Sequence, residues 1–228
     1  MKKTLVSVSA CVLFWQSGLM AGTDVKASKG GTSNKDVSVY QVPWRCPAAL
    51  QIGCGSHAKP ILLELEQNPG VSEAWLNRQG TAVAVVWNPD AKRKARRNAE
   101  KTLKEGKASK LSGEARTKTL ADFESGKGWY RGADVDRLSE EEAGVIAARW
   151  VRRVQAKTTL AEEKAEGLRA ALTEGLKKCL TGKAATPKTK EAKALELGRI
   201  AGPLLDEKQL DILSEAAGCG MRAMPNEE

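Results

Sequence analysis

Apolar positions in the first half of the chain change period every dozen or so residues. Residues 48–52 form a short extended apolar run that ends at Gly53. Ala58, Ile61, Leu62 and Leu65 then recur at i, i+3, i+4 and i+7, one face of a helix. Asn68-Pro69-Gly70 stops it. Residues 71–77 read as a strand, Arg78-Gln79-Gly80 as a turn, and the run TAVAVVW at 81–87 as a second, more buried strand. After the turn Asn88-Pro89-Asp90, with Asp90 as N-cap, Ala91, Ala95, Ala99 and Leu103 recur down one side of another helix, which Gly106 ends. The order strand, helix, strand, strand, helix makes up most of a split βαβ, ferredoxin-like unit. Its last strand is hard to find. Residues 37–42 (VSVYQV) alternate and suit an edge pairing.

From residue 138 the pattern is helical throughout. Ser139…Glu142, Thr159…Glu162 and Asp206…Gln209 have the spacing of capping boxes. The first helix would bury Val145, Ile146, Trp150 and Val154. The second would bury Leu160, Ala165, Leu168, Leu172, Leu176 and Cys179, and Gly182 would end it. A third helix is expected over about 190–201. A last one runs to about Ala217 and is closed by Gly218. Short helices joined by short loops predict a small antiparallel bundle. Residues 107–137, rich in Lys, Gly and Ser with little periodicity, read as a linker. The expected class is therefore α+β: a ferredoxin-like βαββαβ domain at 37–106, the linker, an all-α domain at 138–218 and a tail at 219–228.

The first residues read as an address. Lys2 and Lys3 precede a mostly apolar run from Thr4 to Trp15, too short for an ordinary spanning helix. Small residues follow at Gly18, Ala21 and Gly22. This predicts a secretory signal over 1–27, a flexible leader at 28–36 and a periplasmic or secreted protein. Val8-Ser9-Ala10-Cys11 loosely resembles a lipoprotein box, although the apolar run continues past Cys11.

The chain has 228 residues, with 37 Lys and Arg against 28 Asp and Glu, a net charge of +9. Much of that charge falls on residues 92–104. Besides a solvated helix face, it suits docking to an acidic protein partner or an anionic membrane surface. With 4% aromatics and an export signal, nucleic acid is not an expected partner. No nucleotide loop, paired catalytic carboxylates or nucleophile elbow is present, so no enzymatic activity is expected. A thiol oxidoreductase is the weakest reading, since no second cysteine stands at a C-x-x-C resolving position.

There is a single histidine, His57, three residues after Cys54 in Gly53-Cys54-Gly55-Ser56-His57. The loop enters a helix, whose N-terminal amide dipoles favour a thiolate. Thiolate with imidazole suits Cu(I), Hg(II) or Zn(II). The same spacing also fits a buried cysteine beside a capping histidine. Cys46 would be about 26 Å from Cys54 in a straight strand, at roughly 3.3 Å per residue. It could ligate, or form a disulfide with Cys54, only if the chain bends at Pro43 or Pro47. Cys179 and Cys219 both fall at helix ends and could pair as a disulfide. Cys219, Met221 and Met224 offer soft donors near the C-terminus.

The segment from Ile52 through Cys54, His57, Leu62, Leu65 and Asn68-Pro69-Gly70-Val71, with the strand pair after it, resembles the heavy-metal-associated domain over about residues 48–105. That family includes copper chaperones and the periplasmic mercury-binding protein. Cys54 matches the family's first metal-binding cysteine, His57 stands where the second belongs, and Ile52 replaces the usual loop Met. The resemblance implies a βαββαβ fold and a carrier or sensor of a soft metal ion through Cys54 and His57. A Cys/His pair would bind Cu(I) or Hg(II) more weakly than two thiolates and tolerate Zn(II) better. The alternative is an interaction or chaperone-like protein whose heavy-metal-associated domain no longer binds metal. Leu138-Ser139-x-x-Glu142 and Leu205-Asp206-x-x-Gln209 loosely resemble paired motifs of Spy-type periplasmic helical stress proteins. Two ordinary capped helices would look the same.

Overall fold

The computed structural model describes residues 36–184 and 189–224. The signal segment 1–27 with Cys11, nearly all of the leader, and residues 225–228 of the tail lie outside the described residues.

The chain begins with β1 (Val37–Gln41) and then leaves the sheet for a hairpin, β2 (Arg45–Cys46) and β3 (Ala49–Gly53). It continues through α1 (Gly55–Gln67), β4 (Val71–Asn77), β5 (Ala82–Trp87), α2 (Arg93–Glu105) and β6 (Ser109–Lys110). Next come α3 (Gly113–Glu124) and β7 (Trp129–Arg131), then α4 (Asp136–Gln155), α5 (Glu162–Leu180), α6 (Lys190–Ala201) and α7 (Glu207–Gly218). Five strands form an antiparallel sheet in the order β6-β1-β5-β4-β7, and β2 and β3 form a separate ribbon. The architecture is thus mixed α and β, as the periodicity predicts.

β5 explains why 81–87 lacks alternation. All six of its residues are buried because both faces of the sheet are covered. Val83, Val85 and Trp87 face the main core with Leu62, Leu65 and Leu103. Ala82 and Ala84 face the other side, with Val39, Trp129 and, at its margin, Phe123 of α3. The helix predicted from Ala58, Ile61, Leu62 and Leu65 is α1; Ala58, Leu62 and Leu65 are buried and Ile61 is half-buried against the same core. Each leucine contributes about 1.5–3 kcal/mol by leaving water.

Several expectations change. Residues 37–42 do not lie on an edge: β1 sits between β5 and β6. Tyr40 faces the main core and Val39 the other side, so both faces of β1 are used. The extended run at 48–52 does form a strand, but β3 pairs only with β2, because the chain turns back at Pro47-Ala48. After α2 comes β6, only two residues long, which pairs with β1. Residues 107–137 are not a bare linker: they supply β6, α3 and β7. Their composition misleads because α3 buries none of its residues and its flanking turns place Gly113, Gly126 and Gly128 at positive φ. α2 starts after Lys92 rather than being capped by Asp90.

The helical half does not stand apart. One continuous core runs from Tyr40 and Leu62 through Ile146 to Leu168 and Leu213. α1 rests on α4 so closely that a Cβ on Gly55 would lie 2.5 Å from Ser139 Oγ. Lys59 and Asp136 add an ion pair at 2.6 Å across the same contact. This packing explains why Ser139…Glu142 is not a cap. α4 begins a turn earlier, at Asp136, and both residues are buried along it. Thr159 lies outside α5, whose N-cap position is Ala161. Asp206 and Gln209 do form the reciprocal capping box of α7, and Thr189 caps α6. Val145, expected inside, is 36% exposed on the outer side of α4. Buried Arg149 and Arg153 donate to carbonyls of the segment after α7, Met221 for the first and Gly220 and Arg222 for the second. Arg149 also donates to Ala48 O at 2.8 Å and so ties the β2–β3 hairpin to α4.

Candidate metal-binding site

Cys54 reaches its place through three backbone bonds. The Trp44 N–H donates to Gly80 O at 2.9 Å, Gly53 N–H to Arg78 O at 2.7 Å, and Cys54 N–H to Trp44 O at 2.8 Å. The hairpin therefore leaves the sheet after Trp44 and returns at Cys54, against the β4–β5 turn. The close approach needs glycine on both sides. A Cβ on Gly53 would lie 2.9 Å from Gly80 Cα, and one on Gly80 would lie 2.4 Å from Trp44 O. Gly80 also sits at φ +67°, where a side chain is disfavoured.

Cys54 occupies the N-cap position of α1 without a side-chain cap, so its sulfur is not committed to the helix amides. Sγ lies 3.4 Å from Ser56 Oγ. His57 follows within the first helical turn. Its ring stands edge-on to the Trp44 ring, with centroids 5.8 Å apart and planes at 79°. Trp44 is 1% exposed and donates its indole N–H to Gly106 O at 2.7 Å. The C-terminus of α2 thus fixes the indole, and the indole borders the imidazole. Gly106 admits this packing, since a Cβ there would meet Trp44 Cζ2 at 2.9 Å.

Cys54 and His57 line one open cavity of about 510 Å³, with Trp44, Arg45, Glu105 and Lys107 among its walls. Cys54 is half-buried and His57 exposed, so both face a space that solvent reaches. Lys107 closes α2 in the left-handed region at φ 61°. Among the described residues, no group of three or more His, Cys, Asp and Glu side chains could hold one ion. The thiol of Cys54 and the imidazole of His57 belong to the same cavity wall.

The other cysteines are placed elsewhere. The chain does bend at Pro47, yet Cys46 points into the core and is fully buried. Its sulfur accepts the Ala48 N–H at 3.2 Å, and the Glu142 carboxyl stands near its thiol. Burial first, then Glu142, pushes the Cys46 thiol up to about 12. Glu142 is itself only 5% exposed, and burial raises its pKa, partly offset by the Cys46 thiol. Among the described cysteines there is no disulfide, either between Cys46 and Cys54 or between Cys179 and Cys219. Cys179 and Met221 line a small, mostly apolar cavity of about 150 Å³ between the helices, and Cys219 is exposed.

Sequence reasoning misses Trp44, Lys107 and Glu142. Trp44 carries a signal, an aromatic residue between Pro43 and Pro47 just before the cysteine pair. Glu142 carries none, because only packing separates a buried glutamate from a capping one. Comparison with known protein families, with curated proteins and with solved structures finds no match.

Proposed function

We propose that this chain is an exported carrier or sensor of a soft metal ion, held between Cys54 Sγ and the His57 imidazole. The observation that carries the reading is the shared cavity at the mouth of α1, with both side chains on its wall. A thiolate and an imidazole as the only protein donors suit Cu(I) or Hg(II), which accept two ligands in line. Zn(II) would need further ligands to complete a tetrahedron. Solvent would have to supply them.

The topology supports the resemblance to heavy-metal-associated domains. The strand order β6-β1-β5-β4, with α1 before β4 and α2 before β6, supports reading this part as a ferredoxin-like βαββαβ unit. On this reading β1 is the first strand of the unit, and residues 45–53 are an insertion between it and Cys54. The Lys2-Lys3 start and the apolar run after it support export to the periplasm or beyond.

A second reading has its own observation. The His57 ring already packs edge-on to Trp44, and Cys54 Sγ already has Ser56 beside it. Both residues would then be structural, and the protein would be an interaction module.

Titration of the reduced full chain with Cu(I), Hg(II) and Zn(II) separates the two. The metal reading expects wild type to take up one equivalent of Cu(I) that Cys54→Ser does not, with affinity weakened in His57→Ala. Equal uptake and affinity in all three proteins would overturn it and favour the interaction module.

A further inference from the structure

The outward face of α2 is a basic surface that the metal reading leaves unused. Ala99 and Leu103 are 1% exposed and face the core. On the opposite side Arg93, Arg97, Lys101 and Lys104 follow one another at helical spacing, all exposed. At 1.5 Å per residue they form a stripe about 16 Å long. Among the described residues Arg93, Arg97 and Lys104 have no ion-pair partner, and Lys101 reaches only Glu105, at 3.8 Å with both side chains in solvent. An exposed pair of that kind neutralises little.

We propose that the Arg93, Arg97, Lys101 and Lys104 face of α2 docks the protein on an anionic phospholipid surface. One observation favours lipid over an acidic protein. No large exposed hydrophobic side chain lies on α2: those of the described residues are Leu50, Val145, Leu195, Met221 and Met224. Protein interfaces draw their affinity from buried aromatic and aliphatic anchors, which this face lacks. A headgroup layer asks only for charge, at about 1 kcal/mol per Lys or Arg near the surface. This inference is independent of the metal reading.

The test is flotation of the full chain with vesicles of phosphatidylcholine alone and of equal parts phosphatidylcholine and phosphatidylglycerol. The readout is the ratio of the two partition coefficients, so that apolar attachment by residues 4–15 cancels. The ratio should be large at low salt and collapse at high salt. The variant R93Q/R97Q/K101Q/K104Q should lose roughly fivefold per charge removed, two orders of magnitude or more in all. The variant K118Q/K127Q/K164Q/K183Q, with the same net charge, should keep the wild-type ratio. Glutamine is a good helix former, so unchanged far-UV circular dichroism is expected of both. A ratio near one for wild type, or equal losses in the two variants, overturns the proposal. Salt-dependent binding to soluble polyglutamate as strong as to anionic vesicles also overturns it, and assigns the stripe to an acidic protein.

Discussion

Gly80→Ala should cost the fold more than the same change at Gly113, although both glycines sit at positive φ. At Gly113, φ is +57° and nothing lies within 4 Å of an added Cβ. The cost there is the left-handed conformation alone, about 1 kcal/mol for alanine. At Gly80, φ is +67°, and the new Cβ would stand 2.4 Å from Trp44 O, 2.5 Å from Gly53 Cα and 2.8 Å from Trp44 C. All three are backbone atoms, so no side chain can swing aside. Relief requires the β4–β5 turn to move away from the hairpin. That movement gives up the bonds from Trp44 N–H to Gly80 O and from Gly53 N–H to Arg78 O. Each is worth about 1 kcal/mol net. The sum is about 3 kcal/mol. With a urea dependence of about 2 kcal/mol per molar, the midpoint should fall by about 1.5 M for Gly80→Ala and about 0.5 M for Gly113→Ala. Unfolding curves followed by far-UV circular dichroism measure both. If the proposed metal site is correct, the same variant should also weaken Cu(I) uptake, because the displaced turn carries the frame that holds Trp44 and Cys54. Equal midpoints would refute the account of how the hairpin is seated.

Two further outcomes follow from the buried pair under the hairpin. A thiol at about 12 instead of 9.0 carries roughly a thousandfold less thiolate at pH 8. Mass-mapped alkylation of the native protein should therefore modify Cys54 and Cys219 long before Cys46, and comparable rates would contradict the burial of Cys46. Glu142 has a raised folded-state pKa, so its protonated form favours folding. Its contribution to stability is lost as pH rises from the ordinary carboxylate range through the raised value, and is level on either side. Glu142→Gln should remove that loss. The difference in urea midpoint between variant and wild type should grow towards neutral pH, and a pH-independent difference would exclude a titrating Glu142.

The structure ties these residues together through contacts that cross the whole chain. Arg149 on α4 donates to Ala48 in the hairpin and to Met221 beyond α7, so the hairpin that positions Cys54 and the end of the helical layer share one buried guanidinium. Lys59 on α1 is paired with Asp136 on α4, and Arg78 in the β4–β5 turn with Glu141, at 2.6 Å each. The exposed members contribute little to stability.

What the amino-acid order determined by itself was local. The period of Ala58, Leu62 and Leu65 defines α1 because a helix repeats every 3.6 residues whatever surrounds it. Asp206 with Gln209 marks the start of α7 because a capping box closes within one turn. The Cys54–His57 spacing is likewise complete within one loop and the turn after it. The tertiary structure alone decided the non-local choices. Residues 37–41 rather than 49–53 enter the sheet because strands gain their bonds from partners far along the chain. Ser139 is buried rather than capping because α1 packs across it, and Glu142 because the hairpin does. The segment 107–137 covers a sheet face although α3 buries none of its own residues, so no periodicity could reveal it. Cys46 finds a carboxylate rather than Cys54 because α4 brings Glu142 beneath the hairpin.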